Sequence, residues 1–283
     1  MSLVVDVARR LSSPLLQRNE KFKGRHAGET CYIVGNGASL KQMELDAFSD
    51  HVSIGLNLLC VHNDFRSLHV PYFVVPEPFI FYRYFKNPYT QQYQPNVIGN
   101  LIRTALQPHA DVAVFTSISN VFGRGLANSY YLHHFGHRDV DRRFCDISGA
   151  FSFMAGSLFM AIGLAINLGF AKAILVGCDY TFTPISAGHF YAYGPPIRTD
   201  HVHNMYERLF AEAAPSIALS VITTTGESHW LPYETYERHS GRKLRQRENV
   251  EIVRASYLRQ LDRAVRLRQY GVPILPDGGD PEG

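Results

Sequence analysis

Six short apolar runs punctuate the chain: "TCYIVGN" at 30–36, "HVSIGLN" at 51–57, "VPYFVVPE" at 70–77, "ADVAVFTS" at 110–117, "KAILVGCD" at 172–179 and "IALSVITTT" at 217–225. None alternates strictly, and each ends in small or polar residues, the pattern of strands buried on both faces of a parallel sheet. Between them lie pieces with helical spacing: "SLKQMELDAF", "NVIGNLIRTALQ", "GSLFMAIGLAINLGF" and "HVHNMYERLFAEAA". Strands alternating with helices predict a doubly wound, mostly parallel α/β sheet of Rossmann-like type. Ligands of such sheets bind outside the carboxyl ends of the strands. The residues that end each run are therefore the first candidates for chemistry.

Two stretches break the pattern. Residues 79–96 are dense in aromatics and turn formers, and residues 120–149 are long with little periodicity; segments of this length are commonly functional insertions, and 120–149 is read as a lid. This divides the chain into an N-terminal helical segment (1–24), a catalytic domain (25–240) and a basic helical tail (241–283). The apolar stretch 151–170 carries no charge and is long enough to span a bilayer as a helix. Ser152, Gly156, Ser157, Gly163 and Asn167 within it, and the strand-like run that follows at once, predict a buried helix instead. From 242 to 268, nine Lys and Arg residues interleave with apolar ones. The tail is then either a solvated helix face packed on the domain or a basic amphipathic helix resting on an anionic inner membrane leaflet.

Composition narrows the class. The chain has 283 residues, 46% hydrophobic content and a formal charge of +3, an ordinary globular balance that calls for no nucleic-acid partner. Cys31, Cys60, Cys145 and Cys178 show no C-x-x-C spacing and read as reduced thiols of a cytoplasmic protein. The first residues offer only a five-residue apolar patch before charges begin, shorter than a secretory h-region.

The first run stops in Gly35-Asn36-Gly37-Ala38-Ser39. A strand that ends in this way and opens a helix places backbone N–H groups where an anion is favoured, with Asn36 and Ser39 as further donors. The turn lacks both G-x-G-x-x-G and G-K-[ST], so it is an outline of a phosphate cradle or a plain turn capped by Ser39. The second strand ends at Asn57, the fifth at Asp179, and Gly156 and Ser157 open the long apolar helix.

In order and spacing, "YIVGNGASL", "IGLN", "GSLFMAIGLAINLGF", "AILVGCDY" and "HFYAY" resemble the bacterial sialyltransferases of glycosyltransferase family 42. They also resemble the related superfamily of motility accessory factors and 6-hydroxymethylpterin diphosphokinase-like proteins. The resemblance covers about residues 25–225 and implies a GT-A-like variant of the Rossmann-like fold. It implies an enzyme of polysaccharide biosynthesis that transfers a nonulosonic or related acidic sugar from a CMP-activated donor to a glycan hydroxyl. On this resemblance Gly35, Asn36, Gly37, Ser39, Asn57, Gly156, Ser157 and Asp179 hold the nucleotide sugar, and Tyr191 binds the leaving phosphate. Thr181 stands where a second tyrosine is expected, with Tyr193 as a substitute. Val75 or Glu77 stands where the family places a donor-binding Asn, which leaves the nucleotide and sugar open.

Transfer also needs a base, and a neutral imidazole suits deprotonation of a hydroxyl. The resemblance places it at His201, with His203 beside it. "HHFGHRDVD" contains a D-x-D, Asp139 and Asp141, but flanking arginines oppose a cation and a monophosphate leaving group needs less neutralisation than a diphosphate. No cofactor or metal is expected. The rival readings are a pterin diphosphokinase-like enzyme requiring ATP and Mg²⁺, and a nucleotide-binding assembly factor without turnover. Acceptor, linkage and homo-oligomerisation stay open.

Overall fold

The computed structural model describes residues 3–86, 91–136, 139–193, 197–199 and 205–267. Eight strands form its main sheet: β1 Thr30–Val34, β2 Val52–Leu56, β3 His69–Val75, β4 Ala113–Ser117, β5 Ser129–Leu132, β6 Lys172–Val176, β7 Ala218–Thr223 and β8 Tyr233–Thr235. Their order is β8-β7-β6-β1-β2-β3-β4-β5, and every pairing is parallel. The chain starts at the centre, winds outward to β5, and returns to the other flank of β1 with β6. The order therefore reverses beside β1, and a crevice opens there at the carboxyl ends.

Burial on both faces explains the apolar runs. In β1, Cys31 and Ile33 enter one core while Tyr32 and Val34 enter the other, and in β3 Tyr72 and Val74 oppose Phe73 and Val75 in the same way. The first core is completed by α3 (Ser157–Leu168) and α4 (Met205–Ala213), the second by α2 (Val97–Leu106) and the C-terminal helix Ala255–Arg266. The uncharged stretch 151–170 thus contains the buried α3, with Leu158, Met160, Ile162, Leu164 and Leu168 all buried. Burying five such side chains contributes roughly 1.5–3 kcal/mol each. Gly169 ends α3 in the left-handed region at φ 88°. Among the described residues no helix is long and apolar enough to cross a membrane.

Two expectations are corrected. Residues 39–48 form no α-helix but two 3-10 turns, Ala38–Lys41 and Leu45–Phe48, because their buried residues Leu40, Met43, Leu45 and Phe48 recur at uneven steps that no single α-helical stripe accommodates. The segment 120–149 is not a lid. It contains edge strand β5, and Tyr130, Leu132, Val140 and Ile147 lie in the first core with Phe22. Asn19 Nδ2 ties it down, donating to the carbonyls of Tyr131 at 2.8 Å and Ile147 at 2.7 Å.

Of the two readings of the tail, its described residues fit the helix packed on the domain. Leu258, Leu261 and Ala264 of its last helix are buried in the core that α2 also enters. A basic helix needs a free apolar face to lie on lipid, and here the protein covers that face. Arg247 anchors the approach to this helix, donating to Asp64 at 2.9 Å and to the carbonyls of Leu40 and Met43. Upstream, Leu3–Gln17 is helical.

Candidate functional site

A cavity of about 530 Å³ lies at the carboxyl ends of β1, β2, β3 and β6. The strand-end rule placed it here, and most of the nominated residues line it: Gly35, Asn36 and Gly37 after β1, Asn57 after β2, Glu77 after β3, Ser157 opening α3, Asp179 after β6, and Tyr191. Ser39, Gly156 and Tyr193 do not; Ser39 is buried behind the turn, and Tyr193 is exposed. His201 and His203 lie outside the described residues. No Lys or Arg is among the described residues that line the cavity.

The turn after β1 is already occupied by an anion of the protein's own. Asp179 Oδ2 accepts from the Ser39 N–H at 2.8 Å, Oδ1 accepts from the Ser39 hydroxyl at 2.5 Å, and the Ala38 N–H also stabilises the carboxylate. This sequestered carboxyl is 1% exposed, and burial pushes its pKa up to about 6 against the lowering effect of those three donors. Gly37 is required here, because a Cβ at that position would stand 2.3 Å from the Asp179 carboxyl. Ser39 and Asp179 therefore bond to one another and shape the turn from behind.

The opposite wall supplies what the turn has spent. α3 begins at Ser157, and its N-cap, Gly156, has no side chain with which to cap it. Ser157 and Leu158 both line the cavity, so the positive end of a twelve-residue helix opens onto it.

Between these walls run the ends of β1, β2 and β3. Asn36 Nδ2 donates to the Leu56 carbonyl at 3.1 Å, and Asn57 Nδ2 donates to Glu77 Oε1 at 2.9 Å. Asn36 Oδ1, Asn57 Oδ1 and Glu77 Oε2 are each buried without a hydrogen-bond partner. Asn57 adopts φ 45°, a left-handed conformation that Asn tolerates and that is frequent at ligand sites. Burial raises the Glu77 pKa, with the Glu77 backbone and Asn57 opposing. Three orphan acceptors on residues that line one cavity, each atom itself shielded from it, are unusual, since buried polar groups are nearly always paired.

An arch closes the site. Gly37 and His189 form an isolated antiparallel bridge, and the Phe190 N–H donates to the Asn36 carbonyl at 3.1 Å. From below, Lys41 Nζ donates to the Ala192 carbonyl at 2.7 Å and Asn249 Nδ2 to the Tyr191 carbonyl at 3.2 Å. The arch carries two rings, His189 and Tyr191, stacked at 4.9 Å with 20° between their planes. Burial lowers the His189 pKa, partly offset by the Asn36 backbone, so the imidazole is neutral at neutral pH.

His189 is the residue that sequence reasoning passed over. Its signal lay in "HFYAY", where only the tyrosines were weighed. Tyr206 of α4, Asn96 at the N-terminus of α2, and Phe79 and Phe85 also line the cavity without having been singled out. Thr181 does too, its hydroxyl donating to the Cys178 carbonyl at 2.7 Å. Cys178 borders the cavity as well, but burial pushes its thiol up to about 12 and leaves no thiolate. The D-x-D lies elsewhere: Asp141 pairs with Arg143 at 2.6 Å and Asp139 with Arg208 at 3.5 Å. Among the described residues no group of three or more His, Cys, Asp or Glu is arranged to hold a metal ion.

No protein-family model matches the sequence, and no curated protein matches it. Two solved structures are similar in fold. The MAf glycosyltransferase from Magnetospirillum magneticum AMB-1 is 11% identical, with a TM-score of 0.44 over 90% of this chain and 42% of that one. The sialyltransferase CstII from Campylobacter jejuni, in complex with cytidine-5′-monophosphate as a substrate analogue, is 14% identical, with a TM-score of 0.40 over 83% of this chain and 98% of that one. The chain thus spans less than half the length of the first. At these identities and scores the likeness assigns no residue a role.

Proposed function

We propose that this protein is a glycosyltransferase of sialyltransferase-like type, taking a nonulosonic or related acidic sugar from a CMP-activated donor to a glycan hydroxyl without a metal ion. The observation that carries this reading is the two-sided chemistry of one cavity: an uncapped helix N-terminus on one side and the polar strand-end residues Asn36, Asn57 and Glu77 on the other. The first side suits a phosphate and the second suits hydroxyls, and a nucleotide presents both. The motifs at Gly35–Ser39, Asn57, Ser157, Asp179 and Tyr191, in family order, support the same class.

In this reading the phosphate sits at Ser157 and the N-terminus of α3, with the Tyr191 ring beside it. Departure of a nucleoside monophosphate leaves charge on that phosphate, and the α3 dipole stabilises it in place of a cation. The acceptor hydroxyl must lose a proton as the glycosidic bond forms. His201 and His203 are proposed for this from the family pattern, and His189 offers the same neutral imidazole within the described cavity.

The test is a thermal-shift and calorimetric screen with CMP, CDP, UDP, GDP and ATP, each with and without Mg²⁺. Selective, metal-free stabilisation by cytidine nucleotides is expected. Selective stabilisation by ATP that requires Mg²⁺ would refute the reading in favour of diphosphokinase chemistry.

A further inference from the structure

A second, smaller cavity of about 50 Å³ adjoins the main one. The two share a 3-10 turn, Asn57–Val61: Asn57 and Leu58 line the main cavity, while Cys60 and Val61 line the smaller one. Three nitrogen-rich side chains converge on the smaller cavity, Arg66, His109 and Arg254. They come from three separate stretches: the turn Asn63–Ser67, the loop that follows α2, and the residue that precedes the helix Ala255–Arg266. The Arg254 guanidinium lies over the Tyr257 ring, 5.9 Å from its centroid, and Tyr257 lines the same cavity.

The acids near these residues are committed elsewhere. Asp64 pairs with Arg247 at 2.9 Å, and Glu251 with Arg245 at 3.4 Å. None of the described residues that line the smaller cavity is acidic, and neither Arg66 nor Arg254 forms an ion pair with a described residue. Burial and then the Arg66 charge hold the His109 pKa below its ordinary value, with Asp111 opposing, so the imidazole is neutral at neutral pH and lies within the field of Arg66. Two guanidiniums brought to one concavity without a counter-charge repel each other, and a bound anion offsets that repulsion. Each presents a planar fork of N–H donors suited to paired oxygens, and a neutral imidazole adds one more donor. Donors that approach from three stretches of chain call for an anion with at least three oxygens. A phosphate group has them, and a carboxylate does not.

We propose that Arg66, His109 and Arg254 form a second anion site, separate from the main cavity, that holds the phosphate group of a small phosphomonoester. The cavity has room for the phosphate and not for a nucleoside, so the remainder of the ligand projects into solvent. The proposal stands independently of the nucleotide reading, because it uses none of the residues that line the main cavity.

The experiment follows histidine ring signals by NMR while the full chain is titrated with inorganic phosphate, with glycerol 3-phosphate and with sodium chloride, at fixed pH and matched ionic strength. His109→Gln identifies the His109 signal, and His189 reports on the main cavity. A saturable shift of His109 with both phosphates, absent with chloride, is expected. Arg66→Met and Arg254→Met should each weaken the binding by about tenfold, the lower end of the range for a charge-assisted hydrogen bond at a partly exposed site. Both arginines are exposed, so neither change removes core packing. A His109 signal that does not saturate, that responds equally to chloride, or that responds undiminished in both variants overturns the site. A shift confined to His189 puts the phosphate in the main cavity and overturns it as well. Vesicles containing phosphatidic acid form the last arm: binding to them with no response to either soluble phosphate would assign a lipid headgroup and overturn the small monoester.

Discussion

The Asp179 carboxyl couples stability to pH in the direction opposite to that of most carboxylates. Its folded pKa is raised from 3.8 to about 6 because burial outweighs the donors at Ala38 and Ser39. The unfolded chain therefore ionises first as pH rises, and the stability this group contributes is full below about pH 4 and lost as pH climbs through 6. Worked from those two values, the contribution is on the order of 1 kcal/mol at pH 5 and close to nothing at pH 7. In Asp179→Asn the linkage is absent, while one carbonyl oxygen remains to accept from Ser39. The assay is urea unfolding of both proteins at pH 7 and pH 5. Wild-type stability minus that of the variant should rise by on the order of 1 kcal/mol on acidification, with all other titrating groups cancelling. A difference that stays constant or shrinks over that interval would show that the carboxyl is not held in the buried setting described.

Other consequences are open to simpler measurements. Gly37→Ala drives a Cβ into the Asp179 carboxyl and should cost about 1–3 kcal/mol, lowering Tm by several degrees; an unchanged melting curve would contradict the packing of the turn. The His189 ring should titrate below the ordinary 6.5 in an NMR pH series, so that its contribution to stability is present above 6.5 and fades as pH falls, and His189→Gln should abolish that component. A ring that titrates above 6.5 would remove it from the buried arch. Arg247→Met leaves Asp64 and two carbonyls without their donor, and a loss of about 3 kcal/mol with faster proteolysis between 241 and 267 is expected. Unaltered proteolysis would mean that the tail is held mainly by its last helix.

Much of the architecture was legible because a strand buried on both faces leaves no room for polar residues. The runs at 30–36, 51–57 and 172–179 are strands for this reason, and their polar last residues, Asn36, Asn57 and Asp179, meet at one crevice. Strands β5 and β8 escaped because they are short edge strands, of four and three residues, in which apolar and polar positions mix. The turn after β1 misled for another reason. Its donors do attract an anion, but that anion is a side chain 140 residues away, a pairing no local pattern encodes. His189 was hidden in the same way, since it reaches the cavity through a backbone bridge to Gly37.

The pins beneath the arch set a schedule for biosynthesis. The ends of β1, β2 and β3 leave the ribosome early, the arch follows much later, and Asn249, which holds the Tyr191 carbonyl, is among the last described residues to emerge. A nascent chain can complete most of its central sheet while the pocket still lacks its roof. At that stage the cavity has its walls but lacks the arch residues His189 and Tyr191 that complete its lining. The order of synthesis makes binding a property of the nearly finished chain, and a stalled or clipped product that keeps its sheet would pass as folded while remaining empty.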